Sequence, residues 1–167
     1  MSMISLTALF PLAAHAVFFA ATVALALADL RQLRLPDRLL LPTLVTVTAL
    51  LGGHAALTGI YDTLQTALTG AALNTALHLS LYYAGSYRST SRTFGFGDVK
   101  LAALTGLITG WHGYGIWVTA LIASFIAAGT AAGVLLALRQ INKTTRLPFG
   151  PCMLLATAAA IIAPPIP

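Results

Sequence analysis

Four of the 167 residues carry carboxylates, Asp29, Asp37, Asp62 and Asp98, and there is no glutamate. In a chain that is 58% hydrophobic and only 8% charged, each of them needs a physical reason. Two carboxylates in one site hold a single proton between them, because like charges resist joint ionisation. The ionised member can then take a proton from water attacking a carbonyl carbon while the protonated member donates to the carbonyl oxygen. That is peptide hydrolysis by general acid–base catalysis. Intramembrane carboxylates also relay protons in transporters, so residue type alone leaves both chemistries open.

The elements that would position these groups follow from hydropathy. A mean hydropathy of +0.88 is too high for a soluble domain, which needs more polar cover. Six apolar segments are expected, at roughly 6–28, 39–58, 63–84, 99–111, 114–138 and 149–164. The net charge is +5, and all nine basic residues sit in alternate loops: Arg31, Arg34 and Arg38, then Arg88, Arg92 and Lys100, then Arg139, Lys143 and Arg146. Basic residues mark cytoplasmic loops, so loops one, three and five are expected in the cytoplasm and both termini outside. This spacing fits topology signals and not a nucleic-acid surface. The fold class is therefore all-α, a single polytopic membrane domain over 1–167. The fourth segment is the weakest, short and interrupted by Gly106, Gly110 and Gly113, and is expected to be recessed or partly unwound. In the fifth, Ala123, Ala127, Ala128, Gly129, Ala131, Ala132 and Gly133 are of the size that lets membrane helices approach closely.

Within that topology Asp37 and Asp62 fall where a carboxylate caps a helix N-terminus. Asp29 ends the first segment and Asp98 begins the fourth, which puts both at the cytoplasmic boundary. Their helices are expected to be neighbours, with the carboxylates within roughly 10 Å of each other. Ala26-Leu27-Ala28 could also be read as a signal-peptidase site that would leave Asp29 as a new N-terminus. Against this, no basic residue precedes the apolar run and several follow it.

Around Asp98 the chain reads Thr93-Phe94-Gly95-Phe96-Gly97-Asp98-Val99-Lys100-Leu101. The two glycines remove side chains where a substrate backbone would approach and permit unusual φ angles. Gly-x-Gly-Asp-x-Lys-Leu at the start of a membrane helix resembles the GxGD intramembrane aspartic proteases, and in this extended form the type IV prepilin peptidases. Two more stretches agree. Asp29-Leu30-Arg31-Gln32-Leu33-Arg34-Leu35-Pro36-Asp37 is similar to the family's first-aspartate segment, with Leu35 and Asp37 where the family has Ile and Asn. Arg146-Leu147-Pro148-Phe149-Gly150-Pro151 is similar to its Pro-Phe-Gly-Pro turn, and Pro151 suits a first helical position.

The resemblance implies a multi-pass inner-membrane enzyme that removes leaders from type IV pilin or pseudopilin precursors at the cytoplasmic face. It implies Asp29 and Asp98 as catalytic residues, and Gly95, Gly97, Lys100, Phe149, Gly150 and Pro151 as substrate-binding ones. The expected partners are the precursor and membrane lipid, with no nucleic acid. Longer members carry a Cys-x-x-Cys insertion and methylate the pilin. The lone Cys152 and the short loops imply a peptidase-only form, with no cofactor and no metal. Cys152 itself reads as a small buried hydrophobe. His15, His54, His78 and His112 fall in separate segments without ligand-like spacing, while Asn74 and His78 share a helix face suited to hydrogen bonds between helices. A proton-coupled transporter or a non-catalytic secretion subunit is the alternative, but a transporter gives no joint reason for Gly95, Gly97 and the 148–151 turn.

Overall fold

The computed structural model describes residues 7–32, 35–88, 95–139 and 148–163. Arg34, Arg92, Lys143 and Arg146 of the basic loops, and Thr93 and Phe94 of the glycine motif, lie outside the described residues. Among the described residues there are six helices: α1 (Leu9–Gln32), α2 (Asp37–Thr58), α3 (Tyr61–Arg88), α4 (Phe96–Trp111), α5 (Tyr114–Ala137) and α6 (Gly150–Ile162). Two links are very short, and each turns on a glycine with positive φ, Gly59 at 77° after α2 and Gly113 at 102° before α5.

Direction follows from contacts at the two ends of the bundle. At one end, Asp37 at the start of α2 meets Lys100 near the start of α4 at 2.7 Å. Tyr82 near the end of α3 packs on Phe96 there with centroids 5.7 Å apart. At the other end, His54 near the end of α2 bonds the Thr7 carbonyl before α1 at 2.8 Å and stacks edge-on with Trp111 at the end of α4, 5.9 Å away. Thr69 of α3 bonds Tyr114 at the start of α5 at 2.8 Å. Successive helices thus alternate in direction, as six successive segments require.

The bundle has an apolar core with a set of polar residues buried within it, and its exterior is apolar as well. Asn74, His78, Thr105, Thr109, Ser124 and Thr157 are buried, whereas Leu12, Val45, Ile126, Val134 and Leu155 are each more than half exposed. Such a surface is what lipid covers. Three helices, Leu9–Arg31, Asp37–Thr58 and Tyr114–Ala137, are long and apolar enough to cross a membrane. The other three do not meet that standard alone: α3 is long but more polar, and the 16 residues of α4 and 13 of α6 fall short of the roughly 20 needed.

The fourth segment is recessed, as expected, but not unwound. It is a regular helix, buried along nearly its whole length, and Gly106 and Gly110 do not interrupt it. They let its backbone lie on α3. A Cβ at Gly106 would stand 2.5 Å from the Gly70 carbonyl oxygen and 2.9 Å from the Ala71 Cα, and one at Gly110 would stand 2.8 Å from the Thr66 carbonyl oxygen. Asn74 locks the same seam by donating to the Ala102 carbonyl at 2.9 Å and the Thr105 hydroxyl at 3.2 Å. The expected close packing by the glycines of α5 is not found: Gly129 and Gly133 meet nothing within 4 Å. Gly106→Ala should therefore destabilise the protein by about 1–3 kcal/mol, because the obstructing atoms are backbone and cannot swing away. Gly129→Ala should be neutral or stabilising by about 0.5–1 kcal/mol through helix propensity. Denaturation in detergent distinguishes the two, and equal effects would contradict this packing.

Candidate active site

The aspartate end of the bundle is assembled by small residues. α1 runs uninterrupted through Asp29, which is buried with 5% of its surface exposed. Its carboxylate oxygen Oδ2 accepts the Gly150 N–H at 3.2 Å. That N–H is one of those at the start of α6 with no partner inside the helix, so it is available to an anion. Gly150 is where this approach becomes possible, since a Cβ there would lie 2.7 Å from Asp29 Oδ2 and 3.5 Å from Leu101 Cδ2. Pro151 occupies the first turn, as its missing N–H allows. Phe149 is buried against His78, at 5.7 Å between centroids, and Phe125, at 5.3 Å.

Asp98 is 8% exposed and caps its own helix. Gly95 is the N-cap of α4, and its N–H donates to Asp98 Oδ2 at 2.9 Å while the Asp98 N–H donates to the Gly95 carbonyl at 3.1 Å. Neither motif glycine needs an unusual φ, contrary to the sequence expectation: Gly95 has φ −85° and Gly97 is helical. Space is the reason instead. A Cβ on Gly97 would stand 3.1 Å from the Leu35 Cβ, so the missing side chain lets the segment after Asp29 pack onto the turn that presents Asp98.

The two helices meet less directly than expected. α1 packs mainly on α2 and α6, and α4 on α3, α2, α5 and α6; the first turn of α6 occupies part of the space between them. They touch at the far end, where His15 and His112 lie 2.7 Å apart. From that contact, fourteen residues lead along α1 to Asp29 and fourteen lead back along α4 to Asp98, about 21 Å in each case. In antiparallel helices this equal spacing leads both aspartates toward the same end of the bundle.

Lys100 is engaged rather than open. Its ammonium donates to both Asp37 oxygens, at 2.7 and 2.8 Å, and lies 5.4 Å from the Phe96 centroid. Asp37 is thus the first residue of α2, after an N-cap at Pro36, and pairs with α4 instead of capping its own helix. Asp62 likewise stands one residue inside α3. Cys152 is half-buried and within electrostatic reach of Asp29. Among the described residues no three His, Cys, Asp or Glu side chains gather as a metal centre. Sequence reading missed that Leu35 seats Gly97 and that His15 meets His112, because both depend on how helices pair.

The sequence profile of the type IV leader peptidase family matches residues 16–136. The chain belongs to that family. The match takes in Asp29 and Asp98 and ends before α6, so the Phe149–Pro151 turn rests on structure and motif alone. Relatives of this family named prepilin leader peptidase/N-methyltransferase are 33% identical over 142 residues in Aeromonas hydrophila and 34% over 142 residues in Aeromonas salmonicida strain A449. One from Pseudomonas aeruginosa is 29% identical over 140 residues. Each match covers 84% of this chain and 45–46% of the relative, so the chain spans about half the length of the family members it matches. No solved structure matches it significantly.

Proposed function

We propose that the chain is an aspartic endopeptidase of the membrane that removes the leader from type IV pilin or pseudopilin precursors, with Asp29 and Asp98 as the pair that activates water. The observation that carries this reading is that both aspartates are buried, each with a carboxylate oxygen bonded to a backbone N–H, in a chain of the leader peptidase family; the helix register counted from His15 and His112 supports placing them at one end of the bundle.

The chemistry follows from a shared proton. Two carboxylates facing one cavity retain one proton between them, and the N–H bonds from Gly150 and Gly95 fix one oxygen of each. The ionised carboxylate accepts a proton from water as the water oxygen bonds the scissile carbonyl carbon, and the other carboxylic acid protonates the carbonyl oxygen. Proton return to the amide nitrogen then breaks the C–N bond. Which aspartate begins protonated is a property of the coupled pair. In this reading all six helices cross or enter the membrane, and the aspartate end, to which the basic loops connect, faces the cytoplasm. The precursor enters laterally from lipid. Its backbone runs past Gly95 and Gly97, the turn Phe149-Gly150-Pro151 shapes the wall beside Asp29, and Lys100 holds the rim through Asp37.

The proposed chemistry requires neither metal nor thiol. Cleavage of a precursor peptide by the purified chain should be unchanged by EDTA, and Cys152→Ala should keep activity within about two- to three-fold, a change of under about 1 kcal/mol in the barrier. The substitution is preferred to alkylation because a reagent on Cys152 would crowd Asp29. Loss of cleavage with EDTA and its restoration by zinc would point to a metalloprotease.

A further inference from the structure

At the end of the bundle away from the aspartates, His15 of α1 and His112 after α4 face each other through their Nε2 atoms at 2.7 Å. The Nδ1 of His15 lies 2.6 Å from the Pro11 carbonyl oxygen. A carbonyl only accepts, so that Nδ1 carries the hydrogen, and the Nε2 of the neutral ring presents a lone pair toward His112. At this distance the His112 Nε2–H donates to that lone pair. His15 thus has the arrangement of a metal-ligating histidine, in which one ring nitrogen donates to a carbonyl while the other binds the ion, and His112 joins it as a ligand in its Nδ1–H tautomer. The rings are tilted 74° to each other, and the pair is accessible from solvent.

We propose that His15 and His112 form a two-histidine site for a divalent transition-metal ion of the Zn²⁺, Ni²⁺ or Cu²⁺ class, bridging α1 to the link between α4 and α5. Two imidazoles on one tetrahedral ion at about 2.0–2.1 Å have nitrogens about 3.3 Å apart. The present pair needs to open by about 0.6 Å, and each ring to turn so that its Nε2 lone pair meets the ion off the line between the two nitrogens. His112 sits where this is easiest, at the C-cap of α4 and immediately before Gly113, whose φ of 102° belongs to a two-residue link. Among the described residues no third His, Cys, Asp or Glu joins the pair, so water completes the coordination. Imidazole nitrogen selects these borderline ions over Mg²⁺ and Ca²⁺, which require oxygen. The inference stands on this geometry and is independent of the proposed peptidase activity.

The test is thermal unfolding of the purified full chain in detergent, in a Cys152→Ala background that removes the thiol as a competing ligand. NiCl₂ at about ten times its dissociation constant should raise the midpoint by about 3–6 °C, reversibly with EDTA. MgCl₂ and CaCl₂ should not. His15→Asn and His112→Asn should each abolish the nickel shift. No shift with Ni²⁺ or Zn²⁺, or a shift that survives both substitutions, overturns the site. Should either variant misfold, Cu²⁺ titration of the unsubstituted histidines by NMR serves in its place. The Cε1–H signals of His15 and His112 should broaden before that of buried His78, and simultaneous broadening of all, or of none, contradicts the proposal.

Discussion

Asp29→Asn and Asp98→Asn should each lower leader cleavage by about 10²–10⁴-fold, the range that a positioned acid or base contributes, while the protein remains inserted and folded. The separation of activity from folding is a consequence of the hydrogen bonds. An asparagine amide oxygen can still accept the Gly150 N–H at position 29 or the Gly95 N–H at position 98, so the turn of α6 and the cap of α4 are kept. What asparagine cannot do is exchange a proton with water or with the opposite carboxyl. Asp62→Asn is the control, since Asp62 is in the first turn of α3 at the far end of the bundle and should cleave normally. Membranes containing each variant, assayed by the gel shift of a precursor and by the amount of inserted protein, separate the outcomes. Full activity in either Asp29→Asn or Asp98→Asn would sink the proposed mechanism.

Gly150→Ala should lower cleavage by about 10²-fold with little loss of stability. An added Cβ would stand 2.7 Å from Asp29 Oδ2, closer than real side chains come, and a tight 3.3 Å from its Cγ. The yielding partner is the Asp29 side chain, because Gly150 belongs to the helix backbone. Its retreat breaks the 3.2 Å bond from the Gly150 N–H and moves the carboxylate by about an ångström, a displacement that typically costs about 10²-fold in rate. Alanine is otherwise welcome in a first helical turn, so unfolding should hardly change. Gly95→Ala makes a useful comparison, since its Cβ would meet Asp98 Oδ2 at 3.4 Å, an ordinary contact, and the loss should be smaller. The reverse order of the two variants would contradict this account of how α6 sets Asp29.

Much of this arrangement is written in local sequence, and the remainder depends on pairing between helices. Alternating apolar runs and basic loops give helix number and alternating direction, because each loop charge acts independently of the fold. The expectation that Asp29 and Asp98 belong to one end follows from the same count. That the fourth segment is short and recessed is legible in sequence, but its glycines look like interruptions when their neighbour is unknown; on α3 they are the contact surface. Gly97 is legible as a site where a side chain is unwelcome, but not as the place where Leu35 would otherwise collide, and Gly150 is legible only as part of a turn, not as the place where a side chain would meet Asp29. Asp37 reads as a cap from its own helix and becomes an ion pair only when Lys100 arrives from α4. His15 and His112 stand 97 positions apart in sequence, and only the antiparallel register of α1 and α4 brings their rings together.

The central claim is that carboxylates from α1 and α4 face each other past the Gly150 turn. Asp29→Cys and Asp98→Cys combined in a Cys152→Ala background test it with thiol-specific reagents spanning roughly 10 Å or less, the cross-linked peptides being read by mass spectrometry. The pair should cross-link within one chain, whereas Asp29→Cys combined with His112→Cys, about 21 Å apart along the bundle, should not. Cross-linking of the second pair but not the first, or of neither, would contradict the shared site.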